Sequence, residues 1–292
     1  MYKQIAENKR KTVFIMIGFV IMIGIIAGIF AWVYRDVSIA IWTILIATIY
    51  AVIQYFIAGS VAMAMTGARE IEKKDNPRFY NIVENLSITT GLPMPKVYII
   101  EDKAPNAFAT GRDPKHASVA ATTGLIDIMN DKELTAVMAH EMSHVKNYDI
   151  RVSMIVFGLV CVIGLISDLA FRMMFYGDRR RDDEGSPVGY VLIIFVAVLA
   201  PIFASIAQMA VSRQREFLAD ASAVNITRYP EGMISALKKL QSHSQPMKSQ
   251  NIATEALYIN NPLRKGFFSN LFSSHPPIEK RIERLEHGKK TF

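Results

Sequence analysis

From Val13 to Tyr34 the chain carries no charged residue, and the run VFIMIGFVIMIGIIAGIFAWVY is long enough to cross a bilayer as a helix. A second uncharged run, residues 37 to 68, follows after only Arg35 and Asp36, which predicts a tight hairpin of two transmembrane helices. The first run is longer than the core of a cleavable signal, so a retained anchor is expected. Two further apolar runs, 152 to 167 and 186 to 212, flank the mixed-charge stretch GDRRRDDEGS. The third run is short and is interrupted by Asp168 and Arg172, while Pro201 lies within the fourth. This second pair reads either as another transmembrane hairpin or as a buried helical hairpin in a soluble lobe.

Between and after these blocks the patterning is that of a folded polar lobe. Asn76 caps a predicted helix with Pro77 at its first position and Phe79, Ile82, Val83 and Leu86 on one face, stopped by Gly91 and Pro93. KVYIIED and ASVAATTG have the character of short strands, with the turn-rich APNAFATGRDPK between them. Asn130 and Glu133 form a capping box ahead of the helical LTAVMAHEMSHVKNY. Residues 242 to 277 are rich in Ser, Asn, Pro and Gly and are expected to form a long loop, before a final amphipathic helix, IEKRIERLEHG. The organisation expected is an N-terminal arm (1–12), a transmembrane hairpin (13–68), a first lobe segment (69–151), a second apolar hairpin (152–212) and a second lobe segment (213–292).

Composition then narrows the setting. The net charge of +7 suits anionic lipid head groups, and no basic run is interleaved with aromatic residues as a nucleic-acid groove requires. The single cysteine, Cys161, excludes an intramolecular disulfide and a cysteine metal cluster. Four Lys/Arg in the N-terminal arm against Arg35 alone in the first inter-span loop place the N-terminus, and with it residues 69–151 and 213–292, on the cytosolic side.

The chemistry centres on TAVMAHEMSHVKNYDIR. On a helix, His140 and His144 lie about 40° apart around the axis and present both imidazoles to one side, the geometry of two zinc ligands. Glu141 is placed to take a proton from a metal-bound water as general base. A catalytic zinc needs a third protein ligand and an open position for water. SRQREFLADASAV offers Glu216 as that ligand and Asp220, one turn on, as the carboxylate that fixes a histidine tautomer. The His pair precedes the third apolar run and Glu216 follows the fourth, so a helical hairpin made of those runs returns Glu216 to the histidines. This ligand set is of the gluzincin type. The fold class expected is mostly α: a polytopic helical membrane protein with an α+β zincin-like metalloprotease domain. Lys132, Glu133, Lys146 and Asp149 flank the motif, which puts the site at the membrane surface rather than within the bilayer.

HEMSHVKNYD, REFLADASAV, PNAFATG and HPPIEKRIERL, in this order, resemble the motifs of the HtpX family of membrane-bound zinc metalloproteases, which is related to the CAAX prenyl proteases. The resemblance covers nearly the whole chain. It implies one zinc ion on His140, His144 and Glu216, Glu141 as base, and Asp220 behind a ligand. It further implies an ATP-independent endopeptidase that removes misfolded or damaged membrane proteins from the cytosolic face of a prokaryotic cytoplasmic membrane. Two supporting sites are expectations from the residues alone. Asn106, Ala107, Phe108 and Ala109, through Thr110, are a candidate sheet edge on which substrate adds as a strand; the bland reading is a strand that only closes the sheet. His275 is a candidate oxyanion donor; the bland reading is a helix-entry residue before Pro276 and Pro277, which rigidify the turn. Two other functions fit the motifs: a processing protease of the CAAX prenyl protease type, and a zinc-stabilised membrane adaptor that binds without cutting.

Overall fold

The computed structural model of the protein describes residues 2–176, 213–248, 254, 257–259 and 276–288. Helices α1 (Tyr2–Tyr34) and α2 (Val37–Met65) pack against each other as the sequence predicts. Arg35, at φ 52°, and Asp36 make the turn, and the Asp36 carboxylate accepts the Ser38 N–H at 2.8 Å to cap α2. Val13–Trp32 and Val37–Met65 are each long and apolar enough to cross a membrane. Their outer faces leave Val20, Ile25, Trp42, Val52 and Phe56 exposed, the surface that hydrocarbon would cover. Their inner faces bury Ile23, Ile26, Phe30 and Ala47 with Val162 of a later helix.

The lobe begins with β1 (Arg69–Glu70) and α3 (Pro77–Thr90), where Asn76 accepts the Phe79 N–H at 3.0 Å and Gly91, at φ 69°, ends the helix. Strands β2 (Lys96–Ile100), β3 (Ala107–Gly111) and β4 (Ala117–Thr122) complete a sheet of order β1-β2-β4-β3. The β2–β4 pair is parallel and the others antiparallel, so β3 lies at the edge. Within the turn-rich stretch between β2 and β4, β3 falls on the candidate edge strand Asn106–Thr110, shifted by one residue, and all five of its residues are buried. β1 was unmarked, being two polar residues paired only with β2.

A short helix, α4 (Thr123–Ile128), leads into α5 (Asp131–Lys146), which is buried on nearly every face. The expected Asn130–Glu133 capping box is present. α5 packs against α3, against β3, and against two helices from the far end of the chain, α7 (Arg213–Thr227) and α8 (Pro230–Ser242). The last described helix, α9 (Ile278–Gly288), covers α7 and α8. Phe79, Val119, Leu134, Met138, Leu237 and Ile282 belong to the one core that joins these elements.

Between α5 and α6 (Asp149–Tyr176) the chain turns through 77°. Tyr148 sits at φ 61° in this corner, a left-handed conformation that a bulky residue holds only when its surroundings fix it. α6 starts three residues before the predicted apolar run and passes through Asp168 and Arg172 without a break. The fourth run (186–212), most of the 242–277 loop and His275 lie outside the described residues.

Candidate metal centre and active site

α5 carries His140 and His144 on one side, with imidazole Nε2 atoms 3.2 Å apart. α7 brings Glu216 to them: its Oε2 lies 3.6 Å from His140 Nε2 and its Oε1 3.5 Å from His144 Nε2. Ligand atoms at 2.0–2.1 Å on the corners of a tetrahedron lie about 3.3 Å from one another. The three atoms are thus spaced as three corners around one ion. Metal-ligand spacing among the described residues is found only in this group.

The far side of each imidazole supports the same reading. His140 Nδ1 lies 2.9 Å from Asp220 Oδ1, and His144 Nδ1 lies 3.0 Å from Asp149 Oδ2. A proton held at Nδ1 by a carboxylate leaves the Nε2 lone pair free for a metal. Asp220 is itself gripped by Arg281 of α9, whose Nε and Nη2 donate to its two oxygens at 2.9 and 2.6 Å. Arg281 is fully buried. Burial pushes the Asp220 carboxyl upward, but the charge and hydrogen bonds of Arg281 outweigh it and hold the pKa at about 2. Burial likewise pushes His140 down, and its bonds to Asp220 and Glu216 lift it to about 9 in the metal-free chain. The centre holds four buried carboxylates, Glu141, Asp149, Glu216 and Asp220, against two guanidinium groups, Arg215 and Arg281. A divalent cation is the charge that such a donor set lacks.

Glu141 faces the same space. It lines, with His140, His144, Glu216, Arg215 and Ala109, a cavity of about 30 Å³. That is room for roughly two water molecules.

The four residues expected to bind substrate divide. Thr122 N–H donates to Asn106 C=O at 2.9 Å, which sets the alternation along the strand: Phe108 pairs inward with β4, and the backbone groups of Ala107 and Ala109 face away from β4. Ala109 borders the metal cavity. The Ala107 C=O already accepts the Ile259 N–H at 3.0 Å. Asn106 is buried, and the Phe108 ring packs at 5.0 Å from Tyr258, away from the ligands.

Three participants escaped the sequence reading. Asp149 was noted only as a polar flank, Arg215 had no assigned role, and Arg281 was part of a motif without a function. A signal for Arg281 exists. It lies within the stripe Ile278, Ile282, Leu285, where a charge on the apolar face of a helix calls for a buried partner.

The sequence profile of Peptidase family M48 matches residues 73–289. Among curated relatives, the Protease HtpX homolog of Tropheryma whipplei (strain Twist) is 54% identical over 286 residues, covering 98% of each chain. The Protease HtpX homolog of Ligilactobacillus salivarius (strain UCC118) is 45% identical over 296 residues, covering 98% of this chain and 99% of that one. Among solved structures, S. mikatae Ste24p shares the fold with a TM-score of 0.52 at 19% identity, covering 98% of this chain and 66% of that one. The chain belongs to peptidase family M48, as an HtpX-type membrane metalloprotease.

Proposed function

We propose that the protein is an integral-membrane zinc endopeptidase that cuts unfolded or damaged membrane proteins at the cytosolic face of the cytoplasmic membrane. The observation that carries this reading is the triangle of His140, His144 and Glu216 with Glu141 in one small buried cavity, set at the foot of α6 and beside Ala109 of the edge strand β3. His140, His144 and Glu216 hold the ion. Zinc suits two imidazoles and a carboxylate, and when bound it supplies a Lewis acid that lowers the pKa of water and polarises a carbonyl.

The protein's own groups do the rest. Glu141 takes a proton from the attacking water and later delivers it to the leaving amine. Asp220 and Asp149 keep the two imidazoles in the ligating tautomer, and Arg281 keeps Asp220 ionised. Substrate pairs with the outward N–H and C=O of Ala109, a contact that recognises backbone rather than sequence and so suits varied unfolded segments. α1 and α2 hold this site against the membrane surface where such segments emerge. Chelation of the purified protein abolishes cleavage of an unfolded protein, and one zinc per chain restores it. Full activity in metal-free protein contradicts the proposal.

A further inference from the structure

Arg215 stands in the first turn of α7, one residue before Glu216, with its side chain 10% exposed. Its Nη1 reaches Asp149 Oδ1 at 3.4 Å. Its Nε and Nη2 are buried and have no acceptor among the described residues. These two nitrogens form the edge of the guanidinium whose hydrogens point in parallel, the same edge with which Arg281 grips Asp220. In Arg215 that edge is left without a carboxylate. A guanidinium cannot shed its proton to relieve this, and buried donors without acceptors cost free energy. The contact with Asp149 uses only Nη1, so the remaining edge points to an acceptor that arrives with substrate.

The cavity fixes where that acceptor sits. Arg215 borders the same space of about 30 Å³ as His140, Glu141, His144 and Glu216. Water and the scissile carbonyl must meet there if the protein is the endopeptidase proposed above, and this inference rests on that reading.

We propose that Arg215 is a catalytic residue whose Nε–H and Nη2–H donate to the scissile carbonyl oxygen and stabilise the charge that develops on it. In the first step the water oxygen bonds to the carbonyl carbon, one water proton passes to Glu141, and the C=O π pair moves onto the carbonyl oxygen. That oxygen, now carrying three lone pairs and the negative charge, accepts both Arg215 hydrogens from two donors held in one plane. In the second step the pair returns to re-form C=O, the C–N bond breaks, and the proton on Glu141 passes to the amine nitrogen. The Arg215 bonds are strongest on the charged oxygen, so they act on turnover rather than on substrate binding.

The test compares wild type, Arg215→Met, Arg215→Lys and Asp149→Asn in detergent, measuring kcat and KM on an unfolded protein together with zinc content and Tm. Arg215→Met should keep its zinc while kcat falls about 100-fold or more and KM changes by less than about threefold. Arg215→Lys, with a donor retained, should turn over faster than Arg215→Met. Asp149→Asn should instead lose zinc affinity, separating support of His144 from contact with substrate. Four results overturn the assignment: a Met variant with near wild-type kcat, one whose zinc content falls in step with its activity, a loss confined to KM, or a Lys variant no faster than Met. Wild-type protein that cleaves nothing with zinc bound overturns the proteolytic reading itself, and this assignment with it.

Discussion

At the scale of single residues, the centre is a relay of positioning contacts. Arg281 holds Asp220, Asp220 holds His140, and His140 faces the ion with Glu216 and His144. Every member except His144 is almost entirely buried. Removing one partner strands a charge, so Arg281→Met should destabilise the fold by about 3 kcal/mol or more. It should also weaken zinc binding by about 10–100-fold, since the support of a ligand is lost. Denaturant unfolding and titration with a competing chelator read the two effects separately, and a variant that keeps both properties would show Asp220 to be self-sufficient. The sequence made the first half of this relay legible. The four-residue spacing of the histidines and of Glu216 with Asp220 is a helical period, and a period is visible in one dimension. Arg281, Asp149 and Arg215 were not legible as partners, because each acts through a residue on another element.

At the scale of elements, α5 is the beam on which the site is built, and its two ends are anchored differently. At its start Glu133 accepts the Asn130 N–H at 2.8 Å, the Ser235 hydroxyl at 2.6 Å and the Lys239 ammonium at 2.7 Å, tying α5 to α8. Burial pushes the Glu133 carboxyl upward, but these three donors together hold it below the usual glutamate range. A depressed folded-state pKa stabilises the fold above the unfolded value, about 4.3, and that contribution is lost as pH falls below it. Wild type should therefore lose stability relative to Glu133→Gln between about pH 5 and pH 3 and exceed it at pH 7. Parallel unfolding curves at the two pH values would contradict this. At its end α5 turns the corner at Tyr148, which places Asp149 behind His144.

The strand edge can be tested at the same scale. Ala109→Pro removes an outward N–H from an edge strand, a position where proline is tolerated. KM for an unfolded substrate should rise about tenfold, the loss of one backbone bond, with zinc retained. Unchanged kinetics would restrict β3 to closing the sheet. The helices were legible because apolar residues recur at their period and Asn76 and Asn130 cap them. β3 was legible as an edge strand at Asn106–Thr110, but not its burial on both faces, since it shows no alternation.

For the whole molecule, the apolar surplus that sets the composition apart is concentrated where hydrocarbon can cover it, on the outer faces of α1 and α2. Charge asymmetry around this hairpin is what supports the proposed cytosolic orientation of the lobe. With Cys161 replaced by serine, a single cysteine at Arg35 should react with an impermeant thiol reagent in intact cells, and one at Lys74 should react only after lysis. The reverse pattern would place the catalytic lobe outside. The central claim, that the two histidines and Glu216 form a working hydrolytic centre served by Glu141, is tested most directly by comparing wild type with Glu141→Gln. Both are purified in detergent, matched for bound zinc, and offered an unfolded protein. Cleavage by wild type with loss of about 100-fold or more in the variant is the expected result. Equal cleavage by both would remove Glu141 from the mechanism, and no cleavage by either with zinc in place would make the centre a structural one.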